Sequence, residues 1–363
     1  MILRTFGWSF GVTAVGLVAA LVYGGPSALA LVAILSVLEI SLSFDNAVVN
    51  AKVLERMSAF WQKIFLTIGI AIAVFGMRLV FPLAIVAITA GLSPWEAFDL
   101  ALTDEKAYAH ALESAYPMIA AFGGMFLLML FLEFVFEEHD YQWLSWLERP
   151  LVRIGKLDQL PVVIAGAALA VAAGYFAADP GEVMIAGVLG MITYILVSGL
   201  GELFEGAGQL DVDEDSEDAK KGPNGLVVAT GKAGFFLFLY LEVLDASFSF
   251  DGVIGAFAIS TNLVIIALGL GIGAMYIRSL TVYLVRKGTL SEYVYLEHGA
   301  MWAIGALATC MIISIGHHVP EWITGGLGAG LIIAAFVSSV VRNRNAGPDD
   351  EATPDVQLHS TRV

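Results

Sequence analysis

Cysteine is nearly absent from this chain. The single thiol, Cys310, sits within an apolar run, so no intrachain disulfide can form and no redox framework exists. Charge is scarce as well: 14% of the 363 residues are Asp, Glu, Lys or Arg, against about 25% in soluble domains. That shortfall excludes an ordinary soluble chain. Basic residues are the minority, 18 against 34 acidic, for a formal net charge of −16. Such a balance excludes a nucleic-acid partner, which needs basic surface. No G-x-x-x-x-G-K-[ST] motif occurs, so ATP-driven pumping within this chain is excluded. Nor do thiols and imidazoles cluster in a way that suggests zinc or copper.

What the chain has is apolar length. Hydrophobic residues make up 58% and the mean hydropathy is +0.81. A helix needs about 20 apolar residues to cross a bilayer core. Ten segments approach that length: 6–24, 28–51, 62–89, 114–136, 160–178, 183–204, 233–258, 262–285, 295–316 and 320–341. They are continuously apolar rather than alternating, which excludes a closed β-barrel, the other spanning backbone. The fold class implied is an all-α membrane protein of about ten transmembrane helices. Arg4, the stretch from Phe6 to Tyr23 and Ala28-Leu29-Ala30 imitate a signal peptide. A matching span precedes the corresponding motif of the second half, so the segment reads as a retained first span.

Basic residues set the orientation. With the N-terminus inside, fifteen of the eighteen fall in cytoplasmic segments, among them Lys52, Arg56, Arg149, Arg153, Arg286 and Arg342. Lys106 alone lies outside, while Arg78 and Arg278 are intramembrane. Both termini are therefore expected in the cytoplasm, in a bacterial-type cell membrane. Outside, residues 91–113 form the one sizeable loop, which suits a short interfacial helix. Inside, 138–159 with Trp143, Trp146 and Arg149 suits an amphipathic segment at the headgroups.

The most informative feature is self-similarity. Residues 39–48 (EISLSFDNAV) align without gaps on 245–254 (DASFSFDGVI), matching an initial acid, both serines, a phenylalanine and the aspartate. Each copy leads into a span with one arginine, Arg78 or Arg278. The copies lie in spans two and seven, so they run in opposite directions through the membrane. Such inverted repeats recur in secondary transporters, whose sites lie at the repeat interface near the midplane. The implied units are a first repeat over 1–178 (motif 39–46) and a second over 179–342 (motif 242–251, acidic linker 207–224). The polar tail, 343–363, is expected to be disordered.

An ionisable group at mid-bilayer costs about 2.5–3.5 kcal/mol on insertion scales. Here Glu39, Asp45, Glu242, Asp245 and Asp251 stand against two cations, Arg78 and Arg278. If each arginine takes one acid, with Asp45–Arg78 and Asp251–Arg278 as the pairs considered, three acids remain. Those must be protonated, hydrated or neutralised by a bound cation. On a helix of about 100° per residue, Glu39, Ser43 and Asn46 share a face, as do Glu242, Asp245 and Ser249. Asp45 and Asp251 point about 120° away on a regular helix. Either the helix unwinds around Ser-Phe-Asp, or each aspartate has a different partner from the acid upstream. Carboxylate, carboxamide and hydroxyl oxygens are hard ligands that favour Mn²⁺, Mg²⁺ or Ca²⁺. Glu133, Glu202 and Glu297, near span ends, snorkel or line an entrance.

These residues resemble the TerC family of integral membrane proteins. The likeness rests on Glu39-x5-Asp45-Asn46-Ala47 with Met77-Arg78-Leu79, on Glu242-x2-Asp245-x5-Asp251 with Arg278, and on Ala256-Phe-Ala-Ile-Ser260. Gly252 departs from it, since many relatives carry a polar residue there. The resemblance implies the LysE-type transporter group, an inverted-repeat helical fold, and links to tellurium resistance and to export of manganese or other divalent metals. Carried over by position, Glu39, Asp45, Asn46, Glu242, Asp245 and Asp251 would handle the ion, with Ser43, Ser249, Arg78 and Arg278 in support. The expected function is a proton-coupled exporter of Mn²⁺, Ca²⁺ or Mg²⁺ with no resident cofactor and no enzymatic activity. The lipid bilayer is its partner, and a homo-oligomer is compatible. A membrane scaffold in a stress or secretion complex and an exporter of a cationic organic solute are the alternatives. An aspartyl protease dyad is disfavoured because neither aspartate sits in a Gly-x-Gly-Asp context.

Overall fold

In lipid each backbone polar group must find a partner within the chain, which drives so apolar a sequence into helices. The computed structural model describes residues 2–69, 71–139, 141–155, 157, 159–210, 229–260, 262–287 and 293–345. Seven helices among them are long and apolar enough to cross a membrane. The protein is an all-α membrane protein. The expected linker 207–224 falls mostly outside the described residues, as does the tail from 346 onward.

The first helix, α1 (Ile2–Leu42), turns back on itself at Gly24–Gly25, where Gly25 has φ 71° and Pro26 follows. Glycine tolerates this positive φ, and proline has no N–H to extend the preceding ladder. Both arms lie on α11 (Leu263–Lys287). Ser9 donates to the Met275 carbonyl at 2.9 Å and Asn262 donates to the Tyr23 hydroxyl at 3.1 Å, so the first arm runs antiparallel to α11. Ser36 donates to the Gly269 carbonyl at 3.1 Å, and Glu39 lies beside Gly273, so the second arm runs parallel to it. The expected span 28–51 is thus not one helix. It breaks at Ser43, and α2 (Phe44–Glu55) begins anew. The corresponding α10 (Gly231–Ile259) passes through its motif unbroken.

The third apolar run starts as α3 (Ala59–Ile64), widens to i→i+5 hydrogen bonding over Phe65–Gly69 and Ile72–Val80, and ends as α4 (Phe81–Thr89). The expected interfacial helix is α5 (Pro94–Thr103), closed by a reciprocal Ser93–Glu96 cap. Next, α6 (Glu105–Phe136) starts earlier than its apolar stretch because Asp104 accepts from the Ala107 amide at 3.0 Å. The amphipathic segment is α7 (Ser145–Ile154). After it come α8 (Leu160–Tyr175), shorter than expected, and α9 (Pro180–Leu210). The last pair is α12 (Leu296–Ser314) and α13 (Glu321–Asn345). Helix α13 outlasts its apolar run, with the Arg342 guanidinium over the Tyr141 ring at 4.6 Å.

Two apolar clusters result. One gathers Val32, Leu35, Val86, Tyr108, Leu112, Val253 and Ile266, and the other gathers Val48, Leu54, Phe126, Leu169, Leu241 and Leu307. Glu39, Ser43 and Asn46 occupy the chain between them.

Helix α7 is latched by Glu148. Its buried Oε1 accepts from Trp302 Nε1 at 3.0 Å and from the Leu144 amide at 3.3 Å, and lies 3.3 Å from His298 Nδ1. Burial pushes this carboxyl's pKa up, but the bonds from His298 and Trp302 outweigh it, and the net shift is downward. A depressed pKa means that the stabilisation is complete above the ordinary carboxylate range and is lost as pH falls through the depressed value. Glu148→Gln is expected to flatten the acid limb of stability, and Glu148→Ala to cost about 1–3 kcal/mol by orphaning its donors. Thermal unfolding of purified protein between pH 3 and 7 checks both.

Candidate functional site

The site grows from one helical stripe. Ser36, Glu39, Ser43, Asn46 and Asn50 recur at spacings of three and four, and all are buried. Sequence reasoning picked out the middle three and missed Asn50, although its spacing from Asn46 was a usable signal. Ser43 donates to Glu39 Oε1 at 3.0 Å, and Arg78 binds the same oxygen. The Arg78 side chain also donates to the Ala73 carbonyl inside the widened turn. That turn geometry, uncommon and frequent at functional sites, lets the arginine satisfy its own backbone while reaching Glu39.

The second half repeats the arrangement. Arg278 Nη2 lies 2.6 Å from Asp245 Oδ2, and it donates to the Gly69 carbonyl at 3.2 Å. Its guanidinium stacks 3.7 Å above the Phe65 ring. Asn50 Nδ2 donates to the other Asp245 oxygen at 2.8 Å, which ties α2 to α10. In the gapless alignment Glu39 corresponds to Asp245, so the first acid of each copy pairs with the arginine of its own half. These partners differ from the expected Asp45 and Asp251. Among the described residues, the upstream acid of each copy is the one within reach of the arginine in the following span. The side chains of Asp45, Ser249 and Asp251 lie outside the described set.

Glu242 is different. It is 5% exposed, yet neither carboxylate oxygen has a hydrogen-bond partner. Its nearest described cation is Arg278 at 3.9 Å, already committed to Asp245. Three described buried acids, Glu39, Asp245 and Glu242, therefore share two arginines. Among the described residues no three His, Cys, Asp or Glu lie close enough to hold one metal ion together. Any direct ligand set would need backbone or amide oxygens, water, or the two motif aspartates.

Glycines let these groups approach. A side chain at Gly252 would meet Glu39 Oε2 at 2.9 Å, and one at Gly69 would meet Glu242 Oε1 at 2.6 Å. Gly252, the departure from the TerC pattern, is thus where Glu39 reaches α10. Below this layer a cavity of about 480 Å³ opens between α2, α6, α9, α10 and α12, and Glu133 and Glu297 are among the residues that line it. The side chain of Glu202 is outside the described set.

No curated protein and no solved structure matches the chain. No comparison names TerC. Residues 44–346, which hold all of this site except Ser36, Glu39 and Ser43, match a family model, and the chain belongs to that family, described as "Protein of unknown function (DUF475)".

Proposed function

We propose that the protein is a secondary transporter that exports a divalent metal cation, Mn²⁺ first and Ca²⁺ or Mg²⁺ next, in exchange for protons at intramembrane carboxylates. Glu242 carries this reading. A buried carboxylate with no hydrogen bond and no arginine of its own must hold a proton or a cation to be tolerated. Exchanging one for the other is the elementary step of proton-coupled cation transport. Along the two motifs, Asp245, Glu39, Asn46, Ser43 and Asn50 are buried hard-oxygen donors that suit these ions over zinc or copper.

The same reading takes the fold as ten spans in two inverted repeats, with both termini cytoplasmic in the cell membrane. The matched Glu39–Arg78 and Asp245–Arg278 pairs support that symmetry. So does the resemblance of both motifs to TerC proteins, with their links to manganese export. In transporters of this plan the halves rock around a fixed central site.

The test is Mn²⁺ flux in proteoliposomes under an imposed pH gradient. Wild-type flux should require the gradient, and Asp245→Asn or Glu242→Gln should lower it at least tenfold. Undiminished flux in well-folded Asp245→Asn protein would remove the site assignment. Flux of arginine or lysine in place of Mn²⁺, Ca²⁺ and Mg²⁺ would turn the reading to an organic cation. No flux of either kind would leave the membrane scaffold.

A further inference from the structure

The cavity beneath the carboxylate layer has a chemistry of its own. Its walls carry Glu133, Glu137 and Glu297 against Lys52 and Arg56, an acidic excess inside a largely apolar frame. Lys52 and Glu297 meet at 2.8 Å and are partly exposed, so this pair stands at the mouth. Deeper in, the Tyr194 hydroxyl donates to Glu133 Oε2, and Ser198 and Tyr240 line the same wall. The inner end stops just short of the motif. Val49 lines the cavity, and the next residue, Asn50, holds Asp245. On the far side of the motif Tyr108, Leu112, Val253, Ala256, Ile266 and Leu270 are packed to zero exposure. The carboxylate layer therefore faces a polar chamber on the side of Lys52 and Arg56 and a sealed apolar plug on the other.

We propose that this chamber is a loading site that takes a divalent cation still wrapped in water, with Glu133, held by Tyr194, as its principal anchor. The inference rests on the transport reading and adds where the ion first binds. Size agrees: six waters at about 30 Å³ each occupy well under the 480 Å³ of the cavity. Chemistry agrees as well. Small divalent ions dehydrate reluctantly and are held through one or two carboxylates with waters filling the remaining positions. At the mouth the Lys52 ammonium already sits on Glu297, a tethered cation that an arriving ion displaces. The positive-inside pattern makes this the cytoplasmic side.

The native thiol makes the test clean, because Cys310→Ser leaves no other cysteine. In that background Ser198→Cys places one thiol on the chamber wall. A small, membrane-impermeant cationic methanethiosulfonate should label it in inside-out vesicles and not in right-side-out ones. Saturating Mn²⁺ should slow the labelling about tenfold. Glu133→Gln should abolish that protection while labelling itself persists, and Tyr194→Phe should weaken it in the same direction if the glutamine variant folds poorly. Protection that is absent with Glu133 intact, that survives Glu133→Gln, or that arginine confers and Mn²⁺ does not would overturn the proposal. The two readings fail separately. Asp245→Asn should stop flux but keep Mn²⁺ protection. Flux that ignores Asp245 alongside intact protection removes the central site alone, and Asp245-dependent flux without protection removes the loading site alone.

Discussion

Arg278→Met is expected to destabilise the protein by about 3–5 kcal/mol, the range for breaking a buried ion pair by removing one partner. Arg278 is 4% exposed and answers to Asp245 at 2.6 Å, Glu242 at 3.9 Å and the Gly69 carbonyl at 3.2 Å. Without it, two buried carboxylates one turn apart on α10 lose their cation, and Asp245 keeps the Asn50 amide. They must then protonate, or the helix must move to find water. The pairing, rather than the arginine's bulk, is the point of the prediction. Arg278→Met with Asp245→Asn should therefore recover most of the loss, because the double variant leaves no uncompensated charge on that pair. Thermal unfolding of the two single variants and the double variant closes the cycle, with a coupling energy above about 2 kcal/mol expected. Lys52→Met is the control. It breaks an ion pair of similar length at the partly exposed mouth, where such pairs contribute about 0–1 kcal/mol. Equal losses at Arg278 and Lys52 would mean that the motif arginines are hydrated, and the burial argument for Glu242 would fall with them.

That argument was half legible in the sequence. Apolar run length alone located most of the spanning helices, and the charge imbalance of acids over arginines followed from counting. The stripe through Glu39, Ser43 and Asn46 was readable from spacing, and extending it by four residues would have added Asn50. Partner choice was not readable. Which acid meets each arginine depends on how the arginine span packs on the motif, and no local residue pattern announces that packing or the i→i+5 winding of Ile72–Val80. The break at Ser43 had been one of two open alternatives. Its confinement to one copy shows that aligned motifs can take different backbone paths when their surroundings differ: α1 reaches its motif as the second arm of a hairpin, while α10 arrives straight. The close approaches at Gly252 and Gly69 were hidden for a related reason. A glycine in an apolar run reads as a helix weakness until a neighbour is seen to need the space.

The glycines of α11 lead to the second large effect. Gly269 and Gly273 stand four apart on one face, the small-x-x-x-small spacing that lets membrane helices close on each other. Both press on the second arm of α1: a side-chain carbon at Gly269 would fall inside 3.0 Å of Leu35 Cβ, and one at Gly273 inside 3.0 Å of Glu39 Cβ and Cγ. Leu35 and Glu39 are themselves four apart, so the two helices mesh in register, and Ser36 adds its bond to the Gly269 carbonyl. Overfilling a packed contact costs about 1–3 kcal/mol, so Gly269→Val and Gly273→Val should each lower stability by that order, and the double variant should fail to accumulate. Their functional effects should part company. Gly273 bears directly on Glu39, so its valine pushes the carboxylate off Arg78 and should reduce flux at least tenfold. Gly269 acts one turn away and should reduce it far less at equal loss of stability. Between them Gly271 faces Val74 Cγ1 at 3.4 Å, an ordinary contact, so Gly271→Ala should be neutral or gain up to about 1 kcal/mol from the better helix former. Unfolding midpoints and flux on the same preparations separate the cases. If Gly271→Ala proves as damaging as Gly273→Val, helix α1 does not lie on α11 in this register, and the route by which Glu39 reaches the centre has to be redrawn.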